Sequence, residues 1–272
     1  MNAPEATAGR LAGGPRRRLA LAVAVLAALT STGLARAELS QEGNLRISFS
    51  GGFTPRSLPR ERPAPVSVDI RGAIGTTDGS HPPALRRIEV ALNRNGRLST
   101  RGLPPCSAPQ LQSTSTETAL ERCGPALVGR GHFGADVEFP SLSPIPAAGR
   151  MLAFYGRQDG RPALLLHLYG TTPVRATFVL PLTISHRAKG RFGTVLSASI
   201  PTLAAGTGSV TEIDLRIGRS YSFHGQRRSF ISASCAAPAG FPGAVFSLAR
   251  SNFYFADGRQ LTTTLTRDCR VR

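Results

Sequence analysis

The stretch Met151-Leu-Ala-Phe-Tyr-Gly-Arg-Gln-Asp-Gly-Arg-Pro-Ala-Leu-Leu-Leu-His-Leu-Tyr169 holds two apolar arms, Met151 to Arg157 and Arg161 to Tyr169, on either side of Asp159-Gly160. A two-residue Asp-Gly connection favours the positive-φ turn that matches strand twist, so the stretch predicts a β-hairpin and with it an antiparallel sheet. Ala244 to Phe255 and Arg259 to Cys269 repeat the arrangement around Asp257-Gly258. Ile88, Val90, Leu92 and Leu98 do so around Asn95-Gly96, within Arg87 to Ser99, and Asp78-Gly79 carries the same turn chemistry.

Working outward, Leu45 to Ser50 and Val66 to Ile70 alternate apolar and polar residues with the period of a half-buried strand. Between them Gly51 to Pro65 carries four prolines, which withhold ladder donors and predict a loop or extended edge. Further strands are expected at His132 to Phe139, Val174 to Ser185, Arg191 to Ile200, Val210 to Ile217 and Arg228 to Ser234, with Pro181 marking a bulge or edge. One short helix is expected over Ser115 to Cys123, with Thr114 and Glu117 spaced as a capping box and Gly124-Pro125 as its stop. The fold class is therefore mostly β, in antiparallel β-sandwich-like modules with one short helix. Pro140 to Gly149, with three prolines and no charge, is the candidate linker between a 38–140 N-terminal β domain and a 141–272 C-terminal β domain. Closure of both halves into a single domain is the alternative.

Residues 1–37 read as a signal peptide. Arg16, Arg17 and Arg18 precede an apolar run from Leu19 to Leu29, and Ala35-Arg36-Ala37 offers the small residues a signal peptidase reads. The run is shorter than the roughly 20 residues a membrane span needs. The Arg pair admits a twin-arginine route, the general secretory route being the other. After cleavage Cys106, Cys123, Cys235 and Cys269 remain, an even set suited to an oxidising compartment. Three pairings are formally open, and the local ones, Cys106 with Cys123 and Cys235 with Cys269, are favoured. The first would tether the short helix to the Pro-rich loop before it, a closure worth about 3 kcal/mol in the chain-entropy picture. No C-x-x-C spacing and no neighbouring histidine point to zinc, and no cofactor motif is present.

The formal charge is +17, and loss of residues 1–37, which hold five arginines and one glutamate, leaves +13. Lys189 is the only lysine, so the surface charge is guanidinium, suited to phosphate or carboxylate. An anionic partner such as a cell-wall polyanion, an acidic glycan or a lipid head group fits this balance, with Arg86, Arg87, Arg227 and Arg228 as candidate contacts. The absence of a basic run speaks against nucleic acid.

Catalytic patterns are sparse. His132, Asp136 and Glu138 share one strand face and form the candidate dyad or triad, while Asp69, Glu212 and Asp214 are further acids for glycoside chemistry. No G-x-S-x-G elbow occurs. His167, inside Leu-Leu-Leu-His-Leu-Tyr, reads as a core histidine. Phe246, Phe253, Tyr254 and Phe255 form an aromatic strand, read as core packing ahead of a glycan or lipid face.

On the stretches TTDGSHPPALRRIEVALNRNGRL, LQSTSTETALERCGPALVGRG and SASCAAPAGFPGAVF through LTTTLTRDCRVR, the chain resembles uncharacterised exported proteins of high-GC Gram-positive bacteria. The resemblance implies export and a bacterial source, and it carries no site residue. Three functions follow as expectations: a secreted or wall-associated noncatalytic β protein with an anionic or carbohydrate partner, a secreted hydrolase, and a lipid carrier, which requires an apolar cavity between sheets. Expressed with its own leader in an exporting bacterium, the secreted chain is expected to begin at Glu38 and to contain no free thiol, checked by intact-mass measurement with and without alkylation.

Overall fold

A computed structural model describes residues 37–137, 143–172, 174–200 and 208–272. Residues 1–36 and Glu138 lie outside them, and with them most of the signal-peptide expectation and one candidate acid. The chain enters through β1 (Glu38–Glu42), β2 (Leu45–Thr54), β3 (Ser57–Leu58), β4 (Ala64–Pro65), β5 (Ser67–Thr76), β6 (Leu85–Asn93) and β7 (Gly96–Leu98). Two α-helices, Ala108–Leu111 and Thr116–Cys123, and a 3-10 turn at Gly124–Ala126 precede β8 (Leu127–Val137), β9 (Ile145–Gln158), β10 (Arg161–Gly170), β11 (Ala176–His186) and β12 (Phe192–Ser199). The last strands are β13 (Gly208–Ile217), β14 (Ser220–Phe223), β15 (Gln226–Ser229), β16 (Ile231–Ala233), β17 (Gly243–Phe255) and β18 (Gln260–Val271).

The mostly-β, antiparallel expectation holds. Its layers are opposite walls of one curled sheet, ordered β1-β2-β5-β13-β8-β9-β10-β11-β12-β6-β17-β18-β3. Among the described residues its strand-to-strand pairings are antiparallel except β18 with β3. β3 follows directly on β2, so its pairs Arg270↔Ser57 and Val271↔Leu58 bring the last strand back to the first hairpin. Farther along the seam Arg267 Nη1 donates to Glu38 Oε1 at 3.2 Å, its Nε donates to the Gly51 carbonyl, and Thr266 N donates to the same Glu38 oxygen at 3.1 Å. Inside it, Leu261 and Leu265 pack with Leu45, Ile47 and Phe49.

The division expected near residue 140 does not separate two bodies: Ala37–Arg272 forms one compact unit. β8 pairs with β9 across that point, and β13 lies between β5 and β8, so strands from both halves alternate in one sheet. Ile145–Gly149 of the presumed linker is the first part of β9. Pro146 is accommodated opposite Asp136 near the start of the strand.

Asp159-Gly160 adopts φ of 50° and 73° and joins β9 to β10 as expected, and Asp257-Gly258 joins β17 to β18. Asn95-Gly96 does not form its hairpin. Both sides of β6 are taken, by β12 and β17, so β7 leaves the large sheet and pairs with β16. Asn93 assists this departure: its Oδ1 accepts from Asn95 N at 2.9 Å, and its Nδ2 donates to the Ser247 carbonyl at 2.8 Å. With β4 and β7, β16 makes a small three-stranded sheet. Leu103, Phe230, Ile231 and Ala237 join Phe53, Val66, Tyr155, Ile184 and Ile217 in the main buried cluster and fill one end of the curled sheet.

Strong curling requires strands without side chains at the tightest contacts. At Gly131 an added Cβ would collide with the Asp214 carbonyl of β13, and at Gly149 with the Tyr169 carbonyl of β10. Gly131→Ala is expected to lower unfolding free energy by about 2–3 kcal/mol, while Gly75→Ala, where the new methyl meets nothing within 4 Å, stays within about 0.5 kcal/mol. Urea melts of the two variants check this.

Candidate ligand cavity and outer groove

Inward-facing positions of the large sheet are almost uniformly apolar: Val68 and Ile70 on β5, Ile88 and Val90 on β6, Phe133 and Ala135 on β8, Leu166 and Leu168 on β10, Leu180 and Leu182 on β11, and Ile213 on β13. Several of them, including Val68, Val90, Leu168 and Ile213, are only partly buried although they point inward, because they face a cavity of about 430 Å³. Its size has a topological cause. Eight strands close on an interior that side chains just fill, and diameter rises with strand number. A thirteen-stranded sheet therefore encloses more space than its own side chains occupy, even with the small sheet filling one end.

The opposite end reaches solvent. Val174 and Phe178, 65% and 38% exposed, belong to the cavity wall together with Ala176 and Ile200. Pro181 contributes to that opening. It pairs with Leu165 of β10, yet on the β12 side the ladder runs only over Thr183–His186 among the described residues. A proline has no amide hydrogen to continue it. Among the described residues the wall beside Phe178 and Leu180 is thus paired with β10 alone.

The outer face of β9 and β10 is covered by the segment that contains both helices. Leu111, Ala119, Ala126 and the Cys106–Cys123 disulfide pack on Leu152, Phe154, Ala163 and Leu165. Ser115, not Thr114, is the N-cap of Thr116–Cys123, accepting from Thr118 N at 3.3 Å. Thr114 is freed for another task. Its hydroxyl donates to the Leu111 carbonyl at 2.6 Å and lies 3.0 Å from His167 Nε2, which is also 3.1 Å from the Thr114 carbonyl. His167 is fully buried, as a core histidine should be. The second disulfide, Cys235–Cys269, fastens the end of β18 to the chain leaving β16.

On the solvent side of β13, β8, β9 and β10 the register aligns Asp214, His132, Arg150 and Tyr169 in one row across the sheet. Glu117, Glu212 and Thr171 join them around an open groove of about 570 Å³. This differs from the constellation expected of His132. Asp136 lies farther along β8 and faces His81 at 3.8 Å, while the cross-strand neighbour of His132 is Asp214. Asp214 is engaged by Arg71 at 3.0 Å, and Asp69 lies 3.7 Å from Arg216. Glu117 is held below the ordinary carboxylate range by its own backbone amide, then by the Ser115 hydroxyl and the charge of Arg150, so it stays ionised and suits anchoring better than proton donation. Among the described residues no group of three metal-ligating side chains converges.

The four arginines named as contacts occupy different sheets. Arg86 and Arg87 lie on β6, where Arg87 pairs with Glu89 and its guanidinium lies 5.5 Å from the Tyr254 ring centre. Arg227 and Arg228 lie on the β14–β15 hairpin, where Arg228 covers Phe223 at 5.8 Å. Of the aromatic strand, Phe246 joins the main core and Phe253 and Phe255 are buried with Phe49, so the strand packs inward. The cavity itself was invisible one strand at a time, since alternation marks an inward face whether or not another side chain meets it.

No protein-family model matches the chain, and neither a curated protein nor a solved structure matches it. Among the described residues no helix is long and apolar enough to cross a membrane.

Burial holds the His167 imidazole below its ordinary value of 6.5, against the partial compensation of the Thr114 carbonyl. The unfolded chain therefore binds a proton that the folded chain refuses, and stability falls as pH drops below about 6.5. His167→Gln is expected to flatten that part of a stability–pH profile measured by denaturant melts at pH 5 to 8.

Proposed function

We propose that this chain is an exported bacterial surface protein that carries an apolar ligand, an acyl chain or a lipid fragment of similar size, inside its curled sheet. The observation behind the reading is the cavity of about 430 Å³ walled by aliphatic and aromatic side chains and reaching solvent beside Val174 and Phe178. Protein interiors hold few voids larger than a water molecule, whereas ligand sites begin near 300 Å³. At about 30 Å³ for each small group, the share of one water in the liquid, the space takes on the order of fourteen heavy-atom groups. Each methylene buried there contributes about 0.8 kcal/mol, on the order of 11 kcal/mol for an acyl chain of that length, which after an association cost of about 4 kcal/mol or more leaves micromolar binding at best.

Two disulfides support an oxidising compartment, and the reading of residues 1–37 as a leader supplies the route to it. The open groove around His132 has the polar groups a hydrolase would use, but they lie on a solvated sheet face, and Asp214 is already paired with Arg71. A carrier needs no such chemistry.

Titration of purified protein with a fluorescent fatty acid is expected to give saturable one-to-one binding. Val90→Trp, which places an indole in the cavity, should weaken it at least about ten-fold while leaving the melting temperature unchanged or higher. Absence of saturable binding to acyl probes of eight to sixteen carbons would remove the proposal.

A further inference from the structure

We infer that a second surface, at the far end of β11 from the cavity mouth, docks the protein on an anionic lipid surface. The turn from β11 to β12 carries Arg187, Lys189 and Arg191, all exposed, and two cations from neighbouring strands stand beside it. Arg94, at the end of β6, donates from Nε to the Gly190 carbonyl at 2.8 Å and from Nη2 to the Arg187 carbonyl at 3.2 Å, so its guanidinium holds the turn from below. Arg250 of β17 lies over the Phe192 ring at 5.2 Å, and Arg191 Nη1 donates to Ser247 Oγ at 3.3 Å. Among the described residues none of these five cations meets a carboxylate. The nearest acids on the flanking strands are already engaged, Glu89 by Arg87 and Asp268 by Arg56. No basic run marks this group in the sequence; the fold collects it from the β11–β12 turn, β17 and the end of β6, which are distant in sequence.

Apolar side chains choose between anionic partners. Val245 stands two residues before Ser247 on the same face of β17 and is 73% exposed, and Phe241, just ahead of the strand, is 61% exposed. A soluble polyanion gains nothing from them. A bilayer interface does, because phosphates meet the guanidinium groups while Val245 and Phe241 enter the acyl boundary. β11, eleven residues and about 35 Å long, runs from this turn to the end of the sheet beside Val174 and Phe178. Docked this way, the protein keeps its cavity mouth directed away from the membrane and open to a second exchange partner.

Flotation with vesicles of phosphatidylglycerol and phosphatidylcholine, against vesicles of phosphatidylcholine alone, tests the assignment. The full exported chain is expected to bind only the anionic vesicles, with binding that falls as salt rises. Lys189→Glu with Arg191→Glu should weaken binding at least about ten-fold. The charge-matched pair Arg46→Glu with Arg130→Glu, at exposed positions on other strands, should change it less than three-fold. Val245→Asp, also exposed, should lower it without affecting the fold.

Equal loss in both charge-reversal pairs, or binding to neutral vesicles, overturns the proposal. Charge-dependent binding that is indifferent to Val245→Asp and is reproduced on soluble polyphosphate overturns the lipid assignment in favour of a polyanion. Val90→Trp keeps vesicle binding and the patch variants keep acyl-probe binding, so failure of this inference is distinguishable from failure of the carrier reading.

Discussion

The guanidinium of Arg267, 9% exposed, sits where β18 returns to the beginning of the chain, reaching Glu38 on β1 and the Gly51 carbonyl on β2. A long antiparallel sheet has two edges, and exposed edges invite pairing with other chains. Here they meet: β3 supplies a short parallel ladder at one end of the seam, Arg267 a charge-assisted bridge along it, and Leu261 with Leu265 an apolar lining against β2. Closing so many strands is what creates an interior too wide for its own side chains.

Two disulfide-tethered segments respond to that width in different ways. β16, whose outgoing chain is fastened by Cys235–Cys269, belongs to the small sheet that fills one end from within. The segment bounded by Cys106 and Cys123 covers β9 and β10 from outside and seals His167 beneath Thr114. The first removes part of the interior volume; the second buries an outer surface that alternation alone would have left polar. Leu165 and Phe154, which pair with each other on the outer face and stand next to inward residues along the chain, are explained by this cover. What stays unfilled lies between the small sheet and the mouth beside Phe178.

Much of the local structure was legible. Asp159-Gly160 and Asp257-Gly258 turned where positive-φ chemistry places them, and Gly124-Pro125 ended the helix as read. Readings failed where a neighbour decided. Asn95-Gly96 had the right residues for a hairpin, but β12 and β17 had already occupied both edges of β6. Thr114 had the right spacing for a cap, but the histidine of β10 drew it away and Ser115 took its place one residue later. Proline-rich Pro140 to Gly149 looked like a boundary because prolines are poor ladder members, yet Ile145–Gly149 pairs with β8 and Pro146 sits near a strand end, where its missing donor is least costly.

By itself the sequence determined the period of the longer strands, the tight Asp-Gly turns and the short helix before Gly124-Pro125, and it favoured the local cysteine partners, because each depends on backbone geometry or chain proximity over a few tens of residues. Only the tertiary structure decided that the halves share one sheet, that Asp214 and not Asp136 stands beside His132, and that Arg94, Arg191 and Arg250 gather on one face. It also decided that the apolar faces enclose a cavity. The physical reason is that alternation says which way a side chain points, whereas strand order and closure set how far away the opposite wall stands.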